Sequence, residues 1–538
     1  MKNKVLSVAD FFCGAGGFSE GFRQKGFEVK FALDFWKPAV DTHELNHPNC
    51  KHALMNILEL NTPEKIDEVV PDTDIIIGSP PCVSFSGSNK AGKADKSLGI
   101  QLIESYLRIV AWKKSKGVVK HWLMENVPNS KNFTKSKYTW KELGLPGKGP
   151  DLKIPVRDVY NAADYGTPQG RKRFVCGNYP VPKITHNLNN YNTTENVLKC
   201  LGNPIKKNGP EVIDPTYGFK IKSDKLTDHH YDARIGEYEW KRAKRLKKDH
   251  GFMGKMSFPE NLNRPSRTVM ATMSASTRES MLFNSYDKKG NQNGYRLPTI
   301  REIATFMSFP ITYQFEANNE SSKYRLVGNA VCSKLASEFA HAIAKKEKLK
   351  MPDKFPSLPE VMPSFNLNFT KRKIKEPGTK KATSKFAVHV PYTKIRSFRA
   401  EINNHNSDFN NENFKWNSVL HQGTGIKAFK GNISQELLTN VLNNFSQFSD
   451  FKEEVMSTFN TKVDPNELQK RYVNYHPDGP YSKLEQIKLI VDNYFPSKKY
   501  KDNLIYNVKN KLNINRDYIP VKVAAALYAC NHFVNQTK

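Results

Sequence analysis

The unit formed by the first 34 residues constrains the fold more than any other stretch of the chain. Residues 5–9 predict a strand, the glycine-rich block DFFCGAGGF (10–18) follows, and residues 19–25 have helical spacing. A strand, a glycine-rich turn and a helix allow the backbone to approach a nucleotide-like ligand. This layout predicts a nucleotide-type pocket near the amino terminus.

The next predicted strand, residues 29–33, adds two features to this pocket. It ends in Asp34, about twenty residues after the glycines, where an acidic side chain suits a ribose diol. Phe35 and Trp36 follow directly and could stack on an adenine ring. No P-loop lysine follows the glycines, so the pattern favours a nucleoside over a phosphate ligand.

A second block, GSPPC (78–82), follows an apolar run at 75–77 that predicts a buried strand. Pro80 and Pro81 restrict the backbone and present Cys82 at the end of that strand. Open α/β sheets bind their ligands at this edge. Cys82 is therefore either a nucleophile or, as is common for a single cysteine, a buried structural thiol.

Length and composition exclude several classes of protein. The 538 residues suffice for two or more domains, and no segment approaches the roughly 20 apolar residues of a membrane span. We find no signal-peptide pattern at the amino terminus. The seven cysteines are scattered without a CxxC pair, which argues against a disulfide framework or a structural zinc site. We therefore expect a cytoplasmic protein without a metal.

The net charge of +30 indicates a polyanionic partner, and nucleic acid is the first choice. The alternative is compositional drift, because Lys and Asn are frequent throughout the chain. The lysine-bearing segment 86–98 suits contact with a phosphate backbone. The block QGRKR (169–173) suits an anion, although three cations in a row also fit a solvated turn.

Six ordered blocks make the chain resemble the DNA (cytosine-5) methyltransferases over nearly all of residues 6–343. They are DFFCGAGGF (10–18), GSPPC (78–82), ENV (125–127), QGRKR (169–173), RLPTIREIATFMSFP (296–310) and LVGNAV (326–331). The resemblance implies a doubly wound, Rossmann-like α/β core that binds S-adenosylmethionine (AdoMet). It also implies a small target-recognition domain that reads double-stranded DNA.

The resemblance assigns catalytic roles to four residues. Cys82 would add to C6 of a cytosine that has been flipped out of the duplex. Glu125 would act on N3 of the base, and Arg171 and Arg173 would hold the cytosine oxygen or a nearby phosphate. Val83 departs from the family, which usually has Gln directly after the cysteine.

The resemblance also assigns the cofactor pocket and the DNA contacts. Asn56 departs from the family's usual Asp, so an amide oxygen would replace a carboxylate beside the adenine amino group. The expected AdoMet-binding residues are Phe12, Gly14, Gly16, Gly17, Asp34, Phe35, Asn56, Ile57, Leu102, Asn329 and Val331. The expected DNA contacts are Ser86, Lys90, Lys93, Arg242, Arg245 and Arg278.

These blocks predict a catalytic core in two parts, residues 1–177 and 279–350, around a recognition region at 178–278. Residues 351–385 are expected to be a basic linker and residues 386–538 a mainly helical extension of unknown function. The part from 351 onward has 28 basic and 17 acidic residues, an excess of +11. A fused nuclease is one alternative, but Asp450-Phe451-Lys452 lacks a convincing upstream partner, so an accessory DNA-binding or folding domain is the better hypothesis.

The leading interpretation is a sequence-specific methyltransferase, monomeric on DNA, from a bacterial restriction–modification system with or without a cognate endonuclease. One rival is the family's tRNA-directed branch, whose expected Cys-Phe-Thr signature is missing from 178–264. Another is a catalytically silent DNA-binding regulator. Retention of Cys82, Glu125, Arg171 and Arg173 argues against the second rival.

Overall fold

The computed structural model describes residues 5–81, 96–206, 209–250, 254–423, 428–500, 503–512 and 514–537. Its contacts divide the chain into two compact units. Unit 1 comprises residues 1–235, 259–275 and 279–374, and unit 2 comprises residues 236–258, 276–278 and 375–538. Within the described ranges, no helix is long and apolar enough to cross a membrane.

Unit 1 combines thirteen described strands with eight α-helices. The strands are β1 (Ser7–Phe11), β2 (Glu28–Asp34), β3 (Lys51–Leu54), β4 (Ile75–Gly78), β5 (His121–Asn126), β6 (Lys137–Tyr138), β7 (Leu152–Lys153), β8 (Val156–Asn161), β9 (Lys172–Asn178), β10 (Glu211–Ile213), β11 (Lys220–Lys222), β12 (Phe283–Tyr286) and β13 (Gln292–Arg296). The first five helices are α1 (Gly17–Arg23), α2 (Lys37–Asn46), α3 (Pro63–Val69), α4 (Ser97–Ser115) and α5 (Thr194–Leu201). Helix α6 (Glu237–Lys248) belongs to unit 2, and α7 (Ile300–Phe306), α8 (Glu320–Asn329) and α9 (Ser333–Lys346) return to unit 1.

The main sheet of unit 1 has seven strands in the order β3-β2-β1-β4-β5-β9-β8. Strands β1 to β5 pair in parallel, whereas β9 runs antiparallel to both of its neighbours. The chain moves outward from β1 to β3 and then restarts on the other side of β1 with β4. This order confirms the expected doubly wound α/β core and puts a topological switch point between β1 and β4.

The strands are buried on both faces, which explains their continuous apolar sequences. In β4, Ile75 and Ile77 join one hydrophobic cluster while Ile76 joins another. In β5, Leu123 joins the first of these clusters and Trp122 joins the second. Side chains alternate between the faces of a strand, so the two clusters cover opposite faces of the sheet.

Helix α9 brings the late part of the chain back to the first helix of the core. A Cβ on Gly21 of α1 would lie 2.4 Å from the Cβ of Ala336, so only glycine allows this close approach. The contact anchors α9 on the same unit as the glycine-rich turn.

Residues 351–374 pack on unit 1, so the expected linker at 351–385 needs correction. The side-chain amide oxygen of Asn368 accepts from the backbone amides of His229 and His230, at 3.0 and 3.1 Å. The backbone amide of Leu367 donates to Asp228, whose carboxylate also pairs with buried Lys323 at 2.8 Å. Proline and lysine content suggested a linker, but these long-range hydrogen bonds were invisible in the sequence.

Unit 2 contains α6 and the carboxy-terminal chain. Its further strands are β14 (Ala387–His389), β15 (Phe398–Asn403), β16 (Asn417–Gln422), β17 (Phe429–Gly431), β18 (Leu504–Tyr506) and β19 (Tyr518–Pro520). Its further helices are α10 (Gln435–Leu442), α11 (Phe448–Thr458), α12 (Pro465–Val473), α13 (Pro480–Tyr494), α14 (Ser497–Tyr500), α15 (Lys509–Leu512) and α16 (Val521–Asn535).

The carboxy-terminal region is mainly helical, as expected, and it also contains an antiparallel sheet in the order β14-β15-β16-β17. Buried helix α16 lies at the centre of a separate hydrophobic core drawn from residues 386–534. The Asn-rich sequences around β15 and β16 concealed the sheet, because asparagine is uncommon in strands.

The interval 178–278, predicted to be one recognition region, is divided between the two units. Residues 178–235 and 259–275 belong to unit 1, whereas 236–258 and 276–278 belong to unit 2. Composition alone could not reveal this division, because basic and aromatic residues occur on both sides of each boundary.

Candidate active site

The glycine-rich turn after β1 is tied to the end of β2 through Asp34. One carboxylate oxygen of Asp34 accepts from the backbone amide of Gly14 and the other accepts from that of Trp36, both at 2.9 Å. Burial raises the pKa of the Asp34 carboxyl, and these amide hydrogen bonds oppose the rise. Phe35 beside it is 62% exposed, so its ring is available to a ligand.

Glycines in the turn allow close contact with late parts of the chain. A Cβ on Gly17 would lie 2.1 Å from the carbonyl oxygen of Val331. A Cβ on Gly16 would lie 2.3 Å from the hydroxyl of Tyr313, which donates to the carbonyl of Ala15 at 2.6 Å. Residues 313 and 331 therefore close one side of the turn, and any side chain at either glycine would displace them.

The other expected cofactor residues lie on several elements of unit 1. Phe12 is buried with a left-handed φ of 55°, at the end of β1. Asn56 is exposed and caps the short 3₁₀ helix Ile57–Glu59 through a 3.1 Å bond from the amide of Leu58. Ile57 is buried, Leu102 is half-buried on α4, and Asn329 is exposed at the end of α8.

The turn that leads to Cys82 is fixed from two sides. The hydroxyl of Ser79 donates to the carbonyl of Phe12 at 3.1 Å. The side-chain amide of Asn126 donates to the carbonyl of Pro80, also at 3.1 Å. The ends of β1, β4 and β5 are thereby joined at one edge of the sheet. Cys82 itself, with Ser86, Lys90 and Lys93, lies outside the described residues.

Glu125 and Arg173 form an ion pair at this edge. The Nε of Arg173 lies 2.8 Å from a carboxylate oxygen of Glu125, which is 7% exposed. Burial raises the pKa of the Glu125 carboxyl, and the positive charges of Arg173 and Arg171 oppose that rise. The antiparallel pairing of β5 with β9 brings the two side chains together. The result is a buried acid held beside a guanidinium.

Arg171 occupies a different environment, although it is only two residues from Arg173. Its guanidinium donates to the carbonyls of Val269, Gly328 and Ala330 at 3.0 to 3.2 Å. It is 3% exposed. In this arrangement Arg171 joins the segment around 269 and the end of α8 to the sheet, a positioning role that the sequence did not indicate.

A buried polar cluster lies beside the glycine-rich turn. The hydroxyl of Ser19 donates to Asp10 at 2.7 Å and contacts His43 at 2.9 Å, and His43 contacts His52 at 2.8 Å. Burial raises the pKa of Asp10 to about 7. Ligand atoms of His43, Cys50 and His52 lie within 4.8 Å of one another. The His43–His52 spacing, however, is that of a hydrogen bond, shorter than the about 3.3 Å between nitrogens of a tetrahedral zinc site.

The described residues with expected DNA contacts, Arg242, Arg245 and Arg278, all belong to unit 2. Arg242 is exposed and donates to the hydroxyl of Tyr238 at 3.3 Å. Arg245 is half-buried and donates to the carbonyl of His389 at 2.8 Å, and Arg278 donates to that of Gly254 at 2.9 Å. Arg245 and Arg278 thus make internal contacts, and only Arg242 of the three is exposed.

The sequence missed three residues that organise the site. Asn126 belongs to the quoted ENV block, and its amide could have been predicted to hold a neighbouring turn. Ser79 is in GSPPC, and its small hydroxyl at a strand end was a comparable signal. Tyr313 carried no signal, because its contact with Ala15 spans almost 300 residues of chain.

Comparison with known proteins shows which family the chain resembles. The family model for the C-5 cytosine-specific DNA methylase matches residues 6–345. The type II methyltransferase M.NgoPII of Neisseria gonorrhoeae is 28% identical over 63% of this chain and 96% of its own length. M.MthTI of Methanothermobacter thermautotrophicus is 29% identical over 63% of this chain and 97% of its own length. The solved S. pombe Dnmt2 methyltransferase is 15% identical with a TM-score of 0.41, over 64% of this chain and 100% of that one.

The family match spans well over half of the chain and includes all six sequence blocks and every element of the seven-stranded sheet. Residues 346–538 lie beyond it. The chain therefore belongs to the C-5 cytosine-specific DNA methylase family.

Proposed function

We propose that the protein methylates C5 of cytosine in double-stranded DNA, with AdoMet as the methyl donor. The observation that carries the proposal is the meeting of three strand ends at one edge of the sheet. Ser79 links the cysteine turn to Phe12, and Asn126 links it to the strand that bears Glu125. The nucleoside pocket and the buried acid thus lie at the edge to which residues 79–81 lead, and the sequence assigns the thiol of Cys82, outside the described residues, to the same site.

The residues present fit AdoMet. Asp34 binds the backbone amides of Gly14, Phe35 and Trp36, but a carboxylate offers about four acceptor sites, so it keeps capacity for a ribose hydroxyl. The exposed ring of Phe35 can stack on adenine. The exposed side-chain amide of Asn56, which caps the 3₁₀ helix Ile57–Glu59, is assigned as the acceptor for the adenine amino group. When bound, AdoMet supplies an electrophilic methyl group to C5.

Cys82 is assigned the nucleophilic step. Cytosine C5 attacks a sulfonium methyl poorly, and addition of the Cys82 thiolate to C6 gives the ring enamine character. Glu125 provides the proton that neutralises the ring at N3, and its raised pKa favours the protonated form this requires. After methylation the C5 proton leaves to solvent, the C6–sulfur bond breaks to restore the thiolate, and the N3 proton returns to Glu125.

Arg173 is assigned a place beside the flipped base. It lies 2.8 Å from Glu125 and retains guanidinium donors for the cytosine oxygen or a phosphate. A stacked cytosine is inaccessible to a side chain on the sheet edge, so we infer base flipping. The target is a specific DNA sequence, in keeping with the type II methyltransferases among the relatives.

Three finer assignments extend the proposal. The relatives are named type II methyltransferases, which supports a role in a restriction–modification system, and a cognate endonuclease that shares the site stays a prediction from the sequence. Action as a monomer on DNA and a location in the bacterial cytoplasm stay predictions from the sequence.

A methyl-transfer assay tests the proposal. The purified full-length chain is incubated with AdoMet carrying a labelled methyl group and either a mixed-sequence duplex DNA or total tRNA. We expect 5-methylcytosine in the DNA and none in the tRNA, by mass spectrometry of the nucleosides. Label only in tRNA would support the tRNA-directed rival, and label in neither would support a silent regulator; both results contradict the proposal.

A further inference from the structure

Unit 2 contains a segment that lies, in sequence, between two catalytic blocks. Residues 236–258 follow QGRKR (169–173) and precede the block at 296–310, yet they cluster with residues 375–538. The chain leaves unit 1 after Ile235 and returns at Pro259. The inserted segment and the extension beyond the family match are therefore parts of one folded unit.

The inserted segment is too short to fold by itself. Units below about 40 residues usually need a disulfide, a metal or a partner to be stable. The apolar core of unit 2 comes from residues 386–534, and helix α6 depends on that part of the chain for support. A recognition element at 236–258 thus has its scaffold in the extension.

One side of α6 is anchored on the extension by polar contacts. Arg245 donates to the carbonyl of His389 at 2.8 Å. The carboxylate of Asp249 accepts from the amide of Tyr392 at 2.7 Å and lies 3.0 Å from the Nε2 of His389. The spacing of 245 and 249, one helical turn, puts both contacts on the same side of the helix.

The amino-terminal end of α6 has its own contact on the same side. The ring of Tyr238 packs edge-on against Tyr475 with centroids 5.8 Å apart, and their hydroxyls lie 3.3 Å apart. Tyr475 lies two residues after the end of α12. Both ends of α6 are thereby fixed to the extension.

A second side of α6 carries exposed positive charge. Lys241 and Lys244 are exposed, and Lys248, four residues further, is half-buried. The ammonium of Lys241 lies 2.7 Å from Glu237, and its side chain is still 63% exposed. Residues 236–258 contain seven Lys or Arg and three Asp or Glu, counted from the sequence. A rigid helix with a row of lysines suits a phosphate backbone.

We propose that residues 236–258 and 375–538 form one DNA-recognition domain, in which the extension is the scaffold and Lys241 and Lys244 contact phosphates of the duplex. This inference rests on the proposed function, because it takes double-stranded DNA as the substrate. Sequence analysis left an accessory DNA-binding domain and a folding domain open for the extension, and this proposal makes it the scaffold of the recognition helix.

Salt dependence of DNA binding tests the lysine contacts. The full-length double variant Lys241→Ala/Lys244→Ala is compared with wild type on the same duplex at several salt concentrations. Each lost phosphate contact lowers the slope of log K against log salt by about one, so we expect a decrease of about 2. The AdoMet dissociation constant should not change, because neither lysine is in the cofactor pocket.

The matched control is Lys30→Ala/Lys114→Ala. Lys30 lies early in β2 and Lys114 at the carboxyl end of α4, away from the strand ends that carry the site, and both are exposed. We expect an unchanged salt slope for this variant. The proposed phosphate contacts would be contradicted if wild type and the Lys241/Lys244 variant had equal salt slopes. They would also be contradicted if the control variant showed the same decrease in slope.

Crosslinking tests the wider domain without any variant. Duplexes with a photoreactive pyrimidine at each position of a methylated site are irradiated with the wild-type chain, and the attached peptides are mapped. We expect crosslinks in both 236–258 and 375–538. Crosslinks confined to unit 1 would overturn the proposal. Methylation of the same duplexes is measured in parallel, so failure of the proposed function would show as absent product, independently of where the crosslinks fall.

Discussion

Two opposing effects act on the pKa of the Glu125 carboxyl. Burial raises its pKa, while Arg173 at 2.8 Å favours the ionised form. N3 of a flipped cytosine would accept a hydrogen bond from the protonated carboxyl of Glu125. The bound base would therefore favour the protonated form of this acid. In the proposed mechanism, protonation of cytosine N3 therefore depends on Glu125 alone.

Replacement of that side chain tests its role. We expect Glu125→Gln to lower kcat by about 10²- to 10⁴-fold, the usual contribution of a general acid, since the amide keeps its shape and cannot transfer the proton. The measurement is single-turnover methylation of a duplex substrate, with AdoMet binding as the control. A kcat within threefold of wild type would remove Glu125 from the proposed mechanism.

Asp10 predicts a pH dependence of stability. Burial raises its pKa from 3.8 to about 7, so between these pH values the folded state binds the proton more tightly than the unfolded state. The contribution of Asp10 to the free energy of unfolding is fully present below about pH 4 and is lost as the pH rises through 7. The size of the effect is on the order of 4 kcal/mol.

The variant Asp10→Asn removes this titration and keeps an acceptor for the Ser19 hydroxyl. We expect its free energy of unfolding to exceed that of wild type at pH 8 and to approach it at pH 4, measured by urea denaturation. The exposed Asp353→Asn serves as the control. A difference between Asp10→Asn and wild type that stays constant from pH 4 to 8 would refute the prediction.

At the scale of elements, Arg171 ties three parts of the chain together. It donates to the carbonyls of Val269, Gly328 and Ala330 from a buried position. A lysine carries its donors on one nitrogen and cannot reproduce the planar geometry that reaches all three. We expect Arg171→Lys to lower the free energy of unfolding by about 2–4 kcal/mol through unsatisfied buried carbonyls.

Arg173→Lys is the natural comparison, because Arg173 is two residues away and pairs with Glu125. We expect it to lower methylation strongly and to lower the free energy of unfolding less than Arg171→Lys does, because the ammonium keeps a positive charge beside Glu125. Chemical denaturation and kinetics of both variants separate the two roles. Equal losses of unfolding free energy in the two variants would contradict the assignment of a positioning role to Arg171 and a catalytic role to Arg173.

The contact between Gly17 and Val331 tests the closure of the cofactor pocket. A Cβ 2.1 Å from a backbone oxygen forces the two elements apart, so Gly17→Ala should cost about 1–3 kcal/mol and weaken AdoMet binding. Gly209→Ala is the matched control, because nothing lies within 4 Å of its added Cβ. Calorimetric titration with AdoMet measures the effect, and equal affinities for the two variants would contradict it.

For the whole molecule, the sequence predicted the catalytic unit far better than the second one. The strand, turn and helix of residues 5–25 and the strand before Gly78 are locally encoded by apolar runs, glycines and prolines. The resemblance assigned Glu125 and Arg173 to one site, but their direct ion pair was not predicted, because it depends on the register of β5 with β9.

Long-range contacts explain what the sequence did not predict. The Asn368 hydrogen bonds attach residues 351–374 to unit 1, and the Arg245–His389 contact attaches α6 to the extension. Each joins segments more than 130 residues apart, and no local propensity encodes such a choice. The carboxy-terminal sheet was missed for another reason: its strands pair with near neighbours in the sequence, but the region is rich in asparagine, which is uncommon in strands.

The central claim is that Cys82 of this chain attacks cytosine in DNA, and a mechanism-based trap tests it most directly. A duplex with 5-fluorocytosine in a methylated site blocks loss of the C5 substituent, so the covalent complex accumulates in the presence of AdoMet. We predict one protein–DNA adduct in denaturing gels, mapped by peptide mass spectrometry to Cys82 and absent in Cys82→Ser, which should still bind DNA. An adduct at another residue, or full trapping by Cys82→Ser, would contradict the account.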